Sequence, residues 1–477
     1  MLNTTPLELA VTDANRTADD IRSSLRELVN GLRVEQARSS SVLHLTAYEN
    51  RLSKLAWYFL SSNLSFRQHE GTCDDRQHDG TSFEDDCADV IRHGSFMFMG
   101  LPNVYALERQ ATKAAQSLFH AAVSDFRPTC GLHAMLCTIA AATKRDDIIY
   151  TIDPINGGHC ASRTLITQLA RQSKYIPWSD ESKSIDLDAF AKDIRNTPPA
   201  AIYFEHGTPL FALPLQQVRD LVGPEVTIAY DASHTLGLIA GGQFQDPLRE
   251  GCDILQGNTH KTFPGPQKAM INFKDRERGI QIAQLLSTGF TSSQHTHHAI
   301  AAYITTLEMK AFAKPYAKQM LLNAAILADA LNECGLNLVA RRDEYTNSHQ
   351  ILIRGKQTDP DYDIYDGCRC LFACGVSTNA RIAFKQRVIR IGVQEVTRRG
   401  MKKSEMKEIA KFFKRALIDQ ENVESIRNDV KHFNDQFQNI DYSFDEDMGL
   451  NEMSAVSIES LAPAEDLAIT PLMRKRA

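Results

Sequence analysis

The chain has 477 residues, 43% of them hydrophobic and 23% charged, which is the composition of a globular protein of one or two domains. A net charge of −6 gives no reason to expect nucleic acid or an anionic membrane as a partner. No stretch has the roughly 18 consecutive apolar residues of a membrane span, and the first residues lack a secretory signal pattern. Ten scattered cysteines fit a reducing compartment, so a cytoplasmic protein is expected.

The predicted elements begin with a helix and then alternate between strands and helices. Residues 1–45 have a polar helical pattern and predict an arm, which either packs on a partner subunit or lies on the surface. Residues 71–89 are acidic and without periodicity, so they predict a surface loop. The alternation that starts near residue 105 predicts a mostly parallel sheet covered by helices on both faces. Ligands of such sheets bind beyond the carboxyl ends of the strands.

A long helix and a smaller α+β segment complete the predicted fold. The fold class is α/β, with a large domain over residues 46–314, a small C-terminal domain over 315–435 and a tail over 436–477. The segment GCRCLFACG, residues 367–375, predicts a buried strand with small thiol side chains. No second Cys or His pair follows it closely, so no metal site is predicted.

Three groups suited to covalent chemistry follow neighbouring predicted strands. Asp231 ends the apolar run VTIAYD, His234 comes soon after it, and Lys261 follows the run CDILQGN. Neighbouring strands would bring these groups to one crevice. A lysine that forms an imine, beside a carboxylate that keeps a pyridine nitrogen protonated, is what pyridoxal phosphate requires. The spacing alone also allows a core ion pair between Asp231 and Lys261 with a capping histidine.

Five motifs resemble the serine hydroxymethyltransferase family in their order and spacing, over about residues 40–430. The resemblance implies a fold-type I pyridoxal-phosphate enzyme. Within the family, GNTHKTFPGPQK, SHQILI and GVQEVTRRGM are most similar to the L-threonine transaldolase branch. The five motifs are TAYEN (46–50), GGH (157–159), DASHTLGLIAGG (231–242), GNTHKTFPGPQK (257–268) and IRIGVQEVTRRGM (389–401).

The resemblance implies a role for each matched residue. Lys261 would hold the cofactor pyridoxal 5'-phosphate as an imine, Asp231 would pair with its pyridinium nitrogen, and His234 would lie near its phenolic oxygen. His260 would contact the phosphate. Arg390 would bind the α-carboxylate of the substrate, for which a planar guanidinium has the right shape.

Further matched residues complete the implied site. Glu70 matches the acid/base that acts on the β-hydroxyl, and Glu49 borders the substrate. The simplest alignment puts Asn156 where the family stacks a ring on the cofactor, and His159 is the alternative. The predicted catalytic residues are therefore Lys261, Glu70, His159 and His234, with Cys130, Gly131 and Thr208 as further cofactor contacts and Tyr48 and Asn379 as further substrate contacts.

The chain departs from the family pattern around the phosphate and the α-carbon. The family's Ser-Gly-Ser phosphate loop is Cys130-Gly131-Leu132, so backbone N–H groups must bind more of the phosphate. The partner-subunit tyrosine is replaced by Gln68, and the glycine-rich partner loop by SSQHTHH, residues 292–298. These differences count against folate-dependent transfer more than against the cofactor.

The resemblance implies an enzyme that makes or breaks the Cα–Cβ bond of a β-hydroxy-α-amino acid through a glycyl carbanion, as a threonine transaldolase or aldolase does. Small amino-acid and aldehyde substrates and a homodimer with a shared active site are implied with it. Three alternatives stay open. They are a tetrahydrofolate-dependent serine hydroxymethyltransferase, another pyridoxal reaction (decarboxylation, transamination or O2-dependent oxidation) and a non-catalytic scaffold protein.

Overall fold

The computed structural model describes residues 18–69, 90–93, 96–342, 344–359 and 361–447. Several predictions therefore fall outside the described residues, namely those for Glu70, for the 71–89 loop and for the tail beyond 447.

Fourteen α-helices lie in the described part of the chain, and many begin at a polar cap. Asp186, Asp275 and Asn422, for example, each accept a hydrogen bond from a backbone N–H three residues on. The helices are α1 (Ala18–Ser41), α2 (Lys54–Leu60), α3 (Pro102–Phe119), α4 (Gly131–Ala142), α5 (Cys160–Gln168), α6 (Leu187–Asn196) and α7 (Leu215–Val222). They continue with α8 (Leu236–Ala240), α9 (Arg276–Leu285), α10 (Thr296–Glu333), α11 (Ile364–Ala373), α12 (Gln394–Arg398), α13 (Lys403–Phe413) and α14 (Val423–Asp435).

The strands form one large sheet, one smaller sheet and three two-stranded pairs. The first strands are β1 (Leu43–His44), β2 (Val90–His93), β3 (Phe96–Met99), β4 (Val123–Asp125), β5 (Ile148–Thr151), β6 (Gln172–Tyr175), β7 (Trp178–Ser179), β8 (Ser184–Ile185) and β9 (Ala201–Glu205). They continue with β10 (Thr227–Asp231), β11 (Ile254–His260), β12 (Pro264–Phe273), β13 (Leu336–Leu338), β14 (Gln350–Lys356), β15 (Val376–Ser377), β16 (Asn379–Ala383) and β17 (Gln386–Gly392).

The large sheet has the strand order β4-β12-β11-β10-β9-β5-β6, and β12 alone runs against the others. Its inner strands are buried on both faces, as the side chains of Ile202, Phe204, Ile228 and Tyr230 show. Helices therefore cover both sides, which explains the near-continuous apolar runs in the sequence. The predicted α/β fold with a mostly parallel sheet is confirmed, and the carboxyl ends of β9, β10 and β11 lie along one edge.

The smaller sheet has the order β13-β14-β17-β16 and is antiparallel. The chain near the N-terminus joins this region, because β1 pairs in parallel with β15. Helix α10 is continuous for 38 residues and contains Pro315. The predicted boundary between residues 314 and 315 falls inside that helix, so the division into domains at this point stays a prediction.

The cysteine-rich segment 367–375 is not a strand, and that prediction was wrong. Residues 364–373 form α11, whose first turn is capped by the Asp363 carboxylate. Ile364, Cys368 and Leu371 are buried on one face, at the spacing of a helix. The thiol side chains thus serve as small apolar groups on a helix face.

The first residues of the predicted tail pack against the folded chain. The Asp445 side chain is fully buried and accepts hydrogen bonds from the backbone N–H groups of Lys54 and Leu55, at 2.8 and 3.0 Å. Arg398 donates a further hydrogen bond to the carbonyl of Tyr442. Residues 436–447 are therefore part of the fold and fix the start of α2.

Candidate active site

Lys261, Asp231 and His234 lie together where β10 and β11 end. The two strands are parallel neighbours, and Lys261 follows β11 directly. The Lys261 Nζ lies 3.3 Å from Nε2 of His234. Burial lowers the pKa of Lys261 to about 8, although the negative charge of Asp231 opposes this. A neutral amine, the form that attacks an aldehyde, is therefore accessible close to neutral pH.

The Asp231 carboxylate is held from three sides. Its Oδ2 accepts hydrogen bonds from the Tyr203 hydroxyl at 2.9 Å and from Nε2 of Gln256 at 3.1 Å. Its Oδ1 accepts one from the backbone N–H of Ser233 at 2.9 Å. A carboxylate fixed in this way can hold a proton on a ring nitrogen placed against it. Sequence patterns did not point to Tyr203 or Gln256.

His234 is buried against two consecutive residues at the start of β14. Nε2 of Gln350 lies 3.0 Å from Nδ1 of His234, and the His349 ring stacks on the His234 ring at 6.3 Å. Burial, followed by the charge of Lys261, lowers the pKa of His234 well below its usual value, so this ring is neutral. His349 and Gln350 belong to the SHQILI motif, whose similarity to the transaldolase branch predicted no role for either residue.

Three of the predicted substrate-binding residues also form a cluster. Nε of Arg390 donates to Oδ1 of Asn379 at 3.1 Å, and the guanidinium lies 5.4 Å from the centre of the Tyr48 ring. Burial lowers the pKa of Arg390 to about 9, which still leaves it charged at neutral pH. Nη1 of Arg390 donates to the Gly207 carbonyl at 2.6 Å, and Nε2 of Gln350 lies 3.4 Å from the same oxygen. The cluster around Lys261 and the cluster around Arg390 therefore form one site.

Asn50 connects the N-terminal motif to the lysine. Its Nδ2 donates to the backbone carbonyl of Lys261 at 2.6 Å and to the Tyr316 hydroxyl at 2.9 Å. The sequence showed Asn50 as the last residue of TAYEN but gave no sign of this contact. Asn50 is a positioning residue, because it acts on the backbone that carries the amine.

His159 and a carboxylate that was not predicted lie at the end of β9. Nδ1 of His159 accepts from the Ala161 N–H at 3.2 Å, which caps α5, and lies 3.6 Å from Oε1 of Glu205. The His159 side chain is 48% exposed. Glu205 lies opposite Asp231 in the strand register and accepts a hydrogen bond from the Ser162 hydroxyl. Burial and the charge of Asp231 raise the pKa of Glu205. The apolar run AAIYFEH ends at this edge of the sheet. Glu205 is therefore a polar residue at the end of a buried strand, which is the pattern that identified Asp231.

Several buried polar atoms in this region have no hydrogen-bond partner among the described residues. They include Oγ1 of Thr208, both ring nitrogens of His206, Oδ1 of Asn156 and Nδ1 of His260. Buried polar groups rarely stay unsatisfied, so these atoms indicate space for a polar ligand or water. The contact of His260 with a phosphate stays a prediction.

The start of α4 offers an anion site at the same edge of the sheet. Cys130 precedes the helix without a side-chain cap, and the Gly131 N–H donates to Oδ1 of Asn258 at 2.7 Å. A Cβ atom on Gly131 would lie 2.5 Å from Nδ2 of Asn258, so only glycine allows this approach. The following N–H groups of the first turn, on Leu132 and His133, suit a phosphate.

The two predicted glutamates are not brought to Lys261 by the described structure. Glu49 is exposed, and its Oε2 lies 3.8 Å from Nδ1 of His44. Glu70 lies outside the described residues. The residue before it, His69, is buried with Nε2 at 2.8 Å from Oε2 of Glu108. The roles of Glu49 and Glu70 stay predictions.

Other kinds of site receive no support within the described ranges. No cluster of three His, Cys, Asp or Glu side chains there is arranged to hold a metal ion. None of the described helices is both long and apolar enough to span a bilayer. None of the cysteines in the described part of the chain forms a disulfide.

The comparisons with known proteins agree on one family. The family model described as serine hydroxymethyltransferase matches residues 21–413. A fluorothreonine transaldolase of Streptantibioticus cattleyicolor is 35% identical over 413 residues, which cover 86% of this chain and 63% of that protein. A serine hydroxymethyltransferase of Methanocella arvoryzae is 33% identical, with 90% of this chain and 98% of the relative covered. This chain thus spans less than two thirds of the fluorothreonine transaldolase but nearly all of the archaeal relative.

The fold agrees with a solved structure as well. The crystal structure of L-threonine transaldolase from Pseudomonas fluorescens in its internal aldimine state has a TM-score of 0.80 and 26% sequence identity, with 93% of this chain and 98% of that chain covered. Fold and site together define a fold-type I enzyme that depends on pyridoxal phosphate. The chain belongs to the serine hydroxymethyltransferase family.

Proposed function

We propose that the protein is a threonine transaldolase or aldolase, which breaks the Cα–Cβ bond of threonine and joins the remaining glycyl unit to a second aldehyde. One observation carries the proposal. The buried amine of Lys261, the fixed Asp231 carboxylate and the Arg390 guanidinium belong to one connected site, and relatives named as transaldolases occur among both the sequence and the structure matches.

The residues present fit pyridoxal phosphate, and each has a separate task. The bound cofactor supplies an electron sink for the pair left by the broken Cα–Cβ bond. Lys261 would provide the amine that holds the cofactor, and Asp231 would keep the proton on its ring nitrogen. Neutral His234 can share a hydrogen bond with a phenolic oxygen, because its ring faces Nζ of Lys261. The first turn of α4, after Cys130, supplies N–H groups for the phosphate.

Arg390 would orient the substrate. Its guanidinium would hold the α-carboxylate and so restrict the orientation of the Cα–Cβ bond. Asn379 and the Gly207 carbonyl hold the guanidinium in place. Glu70 is the proposed base for the β-hydroxyl proton.

The proposal includes the setting in which the enzyme works. We propose small amino-acid and aldehyde substrates, a cytoplasmic location and a homodimer with a shared active site. The unpaired cysteines support a reducing compartment. Apolar side chains on α1, such as Leu25 and Leu32, are more than half exposed in the single chain, which supports packing against a second copy.

The test is aldehyde exchange without folate. Cofactor-loaded protein with L-threonine and benzaldehyde should release acetaldehyde and form a β-hydroxy-α-amino acid, and Lys261→Ala should do neither. The second candidate is a tetrahydrofolate-dependent serine hydroxymethyltransferase, which the archaeal relative's name favours. Serine–glycine exchange that requires tetrahydrofolate, with no acetaldehyde from threonine, would establish that candidate and overturn the first.

A further inference from the structure

The hairpin formed by β16 and β17 presents two arginines on one face. Asn379 pairs with Arg390 across the hairpin, and side chains two residues apart on a strand lie on the same face. Arg381 therefore shares a face with Asn379 and Arg390. The turn has only two residues, Phe384 and Lys385, both with positive φ, so the register of the hairpin is tightly defined.

Both guanidinium groups lie against Gly207. Nη1 of Arg390 donates to the Gly207 carbonyl at 2.6 Å. Nη1 of Arg381 lies 2.5 Å from the position that a Cβ atom on Gly207 would take. A side chain at this position would therefore displace the second guanidinium from its place beside Gly207. The charge of Arg381 is close enough to act on Arg390 and on Lys261.

Arg381 pairs with no carboxylate in the described part of the chain. Its Nη2 donates to the Gly158 carbonyl at 3.1 Å and its Nε to the Ile382 carbonyl at 3.2 Å, both of them neutral acceptors. The residue is partly buried. The carboxylate that acts on it, Glu205, is already bonded to the Ser162 hydroxyl and lies beside Asp231.

The number of cations exceeds what the amino-acid substrate needs. Under the proposed function, Arg390 is matched by one α-carboxylate, Asp231 by the cofactor ring, and the cofactor's phosphate by the N–H groups in the first turn of α4. Arg381 then remains as a partly desolvated guanidinium without an anion. Partly buried charges of this kind are normally paired, and a guanidinium binds a carboxylate through two parallel hydrogen bonds.

We propose that Arg381 binds an anionic group on the second substrate, so that the preferred acceptor is an aldehyde that carries a carboxylate. This inference rests on the proposed function and narrows its substrate class. The α-carboxylate stays with Arg390, and the aldehyde's own carboxylate lies against Arg381 beside Gly207.

The experiment compares 4-oxobutanoate with butanal, which have the same length and differ by the carboxylate. Wild-type enzyme with L-threonine should have a kcat/KM at least about tenfold higher for 4-oxobutanoate, as one charge-assisted contact provides. Arg381→Gln should abolish that preference, so that the two aldehydes react with nearly equal kcat/KM, and should not raise the KM for threonine. Arg387→Gln is the matched control, because Arg387 is an exposed cation on the same hairpin and lies over the Tyr365 ring.

A binding measurement separates this inference from the proposed function. Calorimetric titration of 4-oxobutanoate and of butanal into holoenzyme without an amino acid measures binding alone, because no glycyl unit is present to react. Tighter binding of 4-oxobutanoate that Arg381→Gln removes supports the anion subsite even if no aldehyde is exchanged. Turnover of both aldehydes without a preference would overturn the subsite and leave the transaldolase. A raised KM for threonine with every acceptor would also overturn it, because Arg381 would then share the α-carboxylate.

Discussion

At the residue scale, the backbone of Lys261 depends on a side chain 211 positions earlier. Asn50→Ala removes the donor to the Lys261 carbonyl and leaves that oxygen and the Tyr316 hydroxyl with fewer partners. We expect the free energy of unfolding to fall by about 1–3 kcal/mol and the dissociation constant for pyridoxal phosphate to rise. Urea denaturation and a cofactor titration measure the two effects. Asn63→Ala, on the exposed face of a short 3₁₀ helix, is the control. If the two variants had the same dissociation constant for pyridoxal phosphate, the positioning role of Asn50 would be contradicted.

Glu205 gives a prediction with a definite pH window. Its pKa is raised in the folded protein by burial and by Asp231, so the folded state holds a proton that the unfolded state has released. The stability that this proton contributes is complete below the ordinary glutamate pKa and is lost as pH rises through the raised value. Glu205→Gln keeps a neutral side chain at every pH.

The Glu205→Gln variant should therefore gain stability relative to wild type as the pH is raised from 5 to 9. Denaturant titrations of both proteins at the two pH values measure the difference in the free energy of unfolding. Glu344→Gln changes a more exposed carboxylate, paired with Arg341, and should show no such trend. A difference that stays constant with pH would show that Glu205 is ionised throughout.

Single residues were predictable where they end a strand or sit in a motif. Asp231 and Lys261 come at the ends of apolar runs. Because these runs form neighbouring parallel strands, their carboxyl ends bring the two residues close together. Asn50 and Gln350 act through contacts with residues more than one hundred positions away, which no local pattern encodes. Arg381 was missed because its distinguishing feature is that no described carboxylate pairs with it. A sequence does not show which side chains contact each other.

At the element scale, α1 has one apolar face that no other described residue buries. Ile21, Leu25, Leu28 and Leu32 recur at helical spacing, and each is about half exposed or more. If this face packs on a second copy, Leu25→Glu with Leu28→Glu should raise the dissociation constant of the dimer by about 100-fold or more, because two charges would be buried. Sedimentation velocity measures the shift to monomer. Ser23→Glu, on the opposite face, should leave the dimer intact, and an unchanged dimer in the double variant would contradict the packing.

The helix α11 shows why one element was predicted wrongly. A short run of cysteine, glycine and leucine has no strong preference, and apolar runs of this length suit a buried strand or a helix equally. The deciding signals are the Asp363 cap and the spacing of Ile364, Cys368 and Leu371. Those signals lie partly before the run, so inspection of the run alone could not find them.

At the scale of the whole molecule, burial of neutral histidines sets the response to acid. Burial lowers the pKa values of His206 and His349 to about 3 in the folded protein. The unfolded chain binds these protons near the ordinary histidine pKa, so the stabilising effect is complete above that value and is lost as pH falls toward 3. At pH 5 each of these histidines should lower the free energy of unfolding by about 2 kcal/mol.

Denaturant titrations between pH 7 and 5 test this response. His349→Gln should reduce the slope of unfolding free energy against pH by about one proton. His432→Gln replaces a histidine on the exposed surface of α14 and should leave the slope unchanged. A slope that stays the same in both variants would show that His349 titrates normally in the fold.

The overall architecture was predictable because the strands of the large sheet alternate with helices from β5 to β10. Most of these strands are short apolar runs and the helices between them have an amphipathic period, which together specify a covered parallel sheet. The pairing of β1 with β15 was not predictable, because two-residue strands carry no pattern of their own and depend on a partner far along the chain. The course of residues 436–447 depends in the same way on distant partners, such as the contacts of Asp445 with α2 and of Arg398 with Tyr442.

The two-residue turn at Phe384 and Lys385 has an evolutionary consequence. Phe384 is buried against Trp178, and this packing holds a conformation that glycine or asparagine usually adopts. One residue more or fewer at this turn would shift the strand register and exchange the faces of the hairpin, so that Ile382 would replace Arg381 toward the crevice. Relatives that differ by one residue at this turn would therefore differ in the charge presented to the aldehyde and in the support that Asn379 gives to Arg390, with Lys261 and Asp231 unchanged.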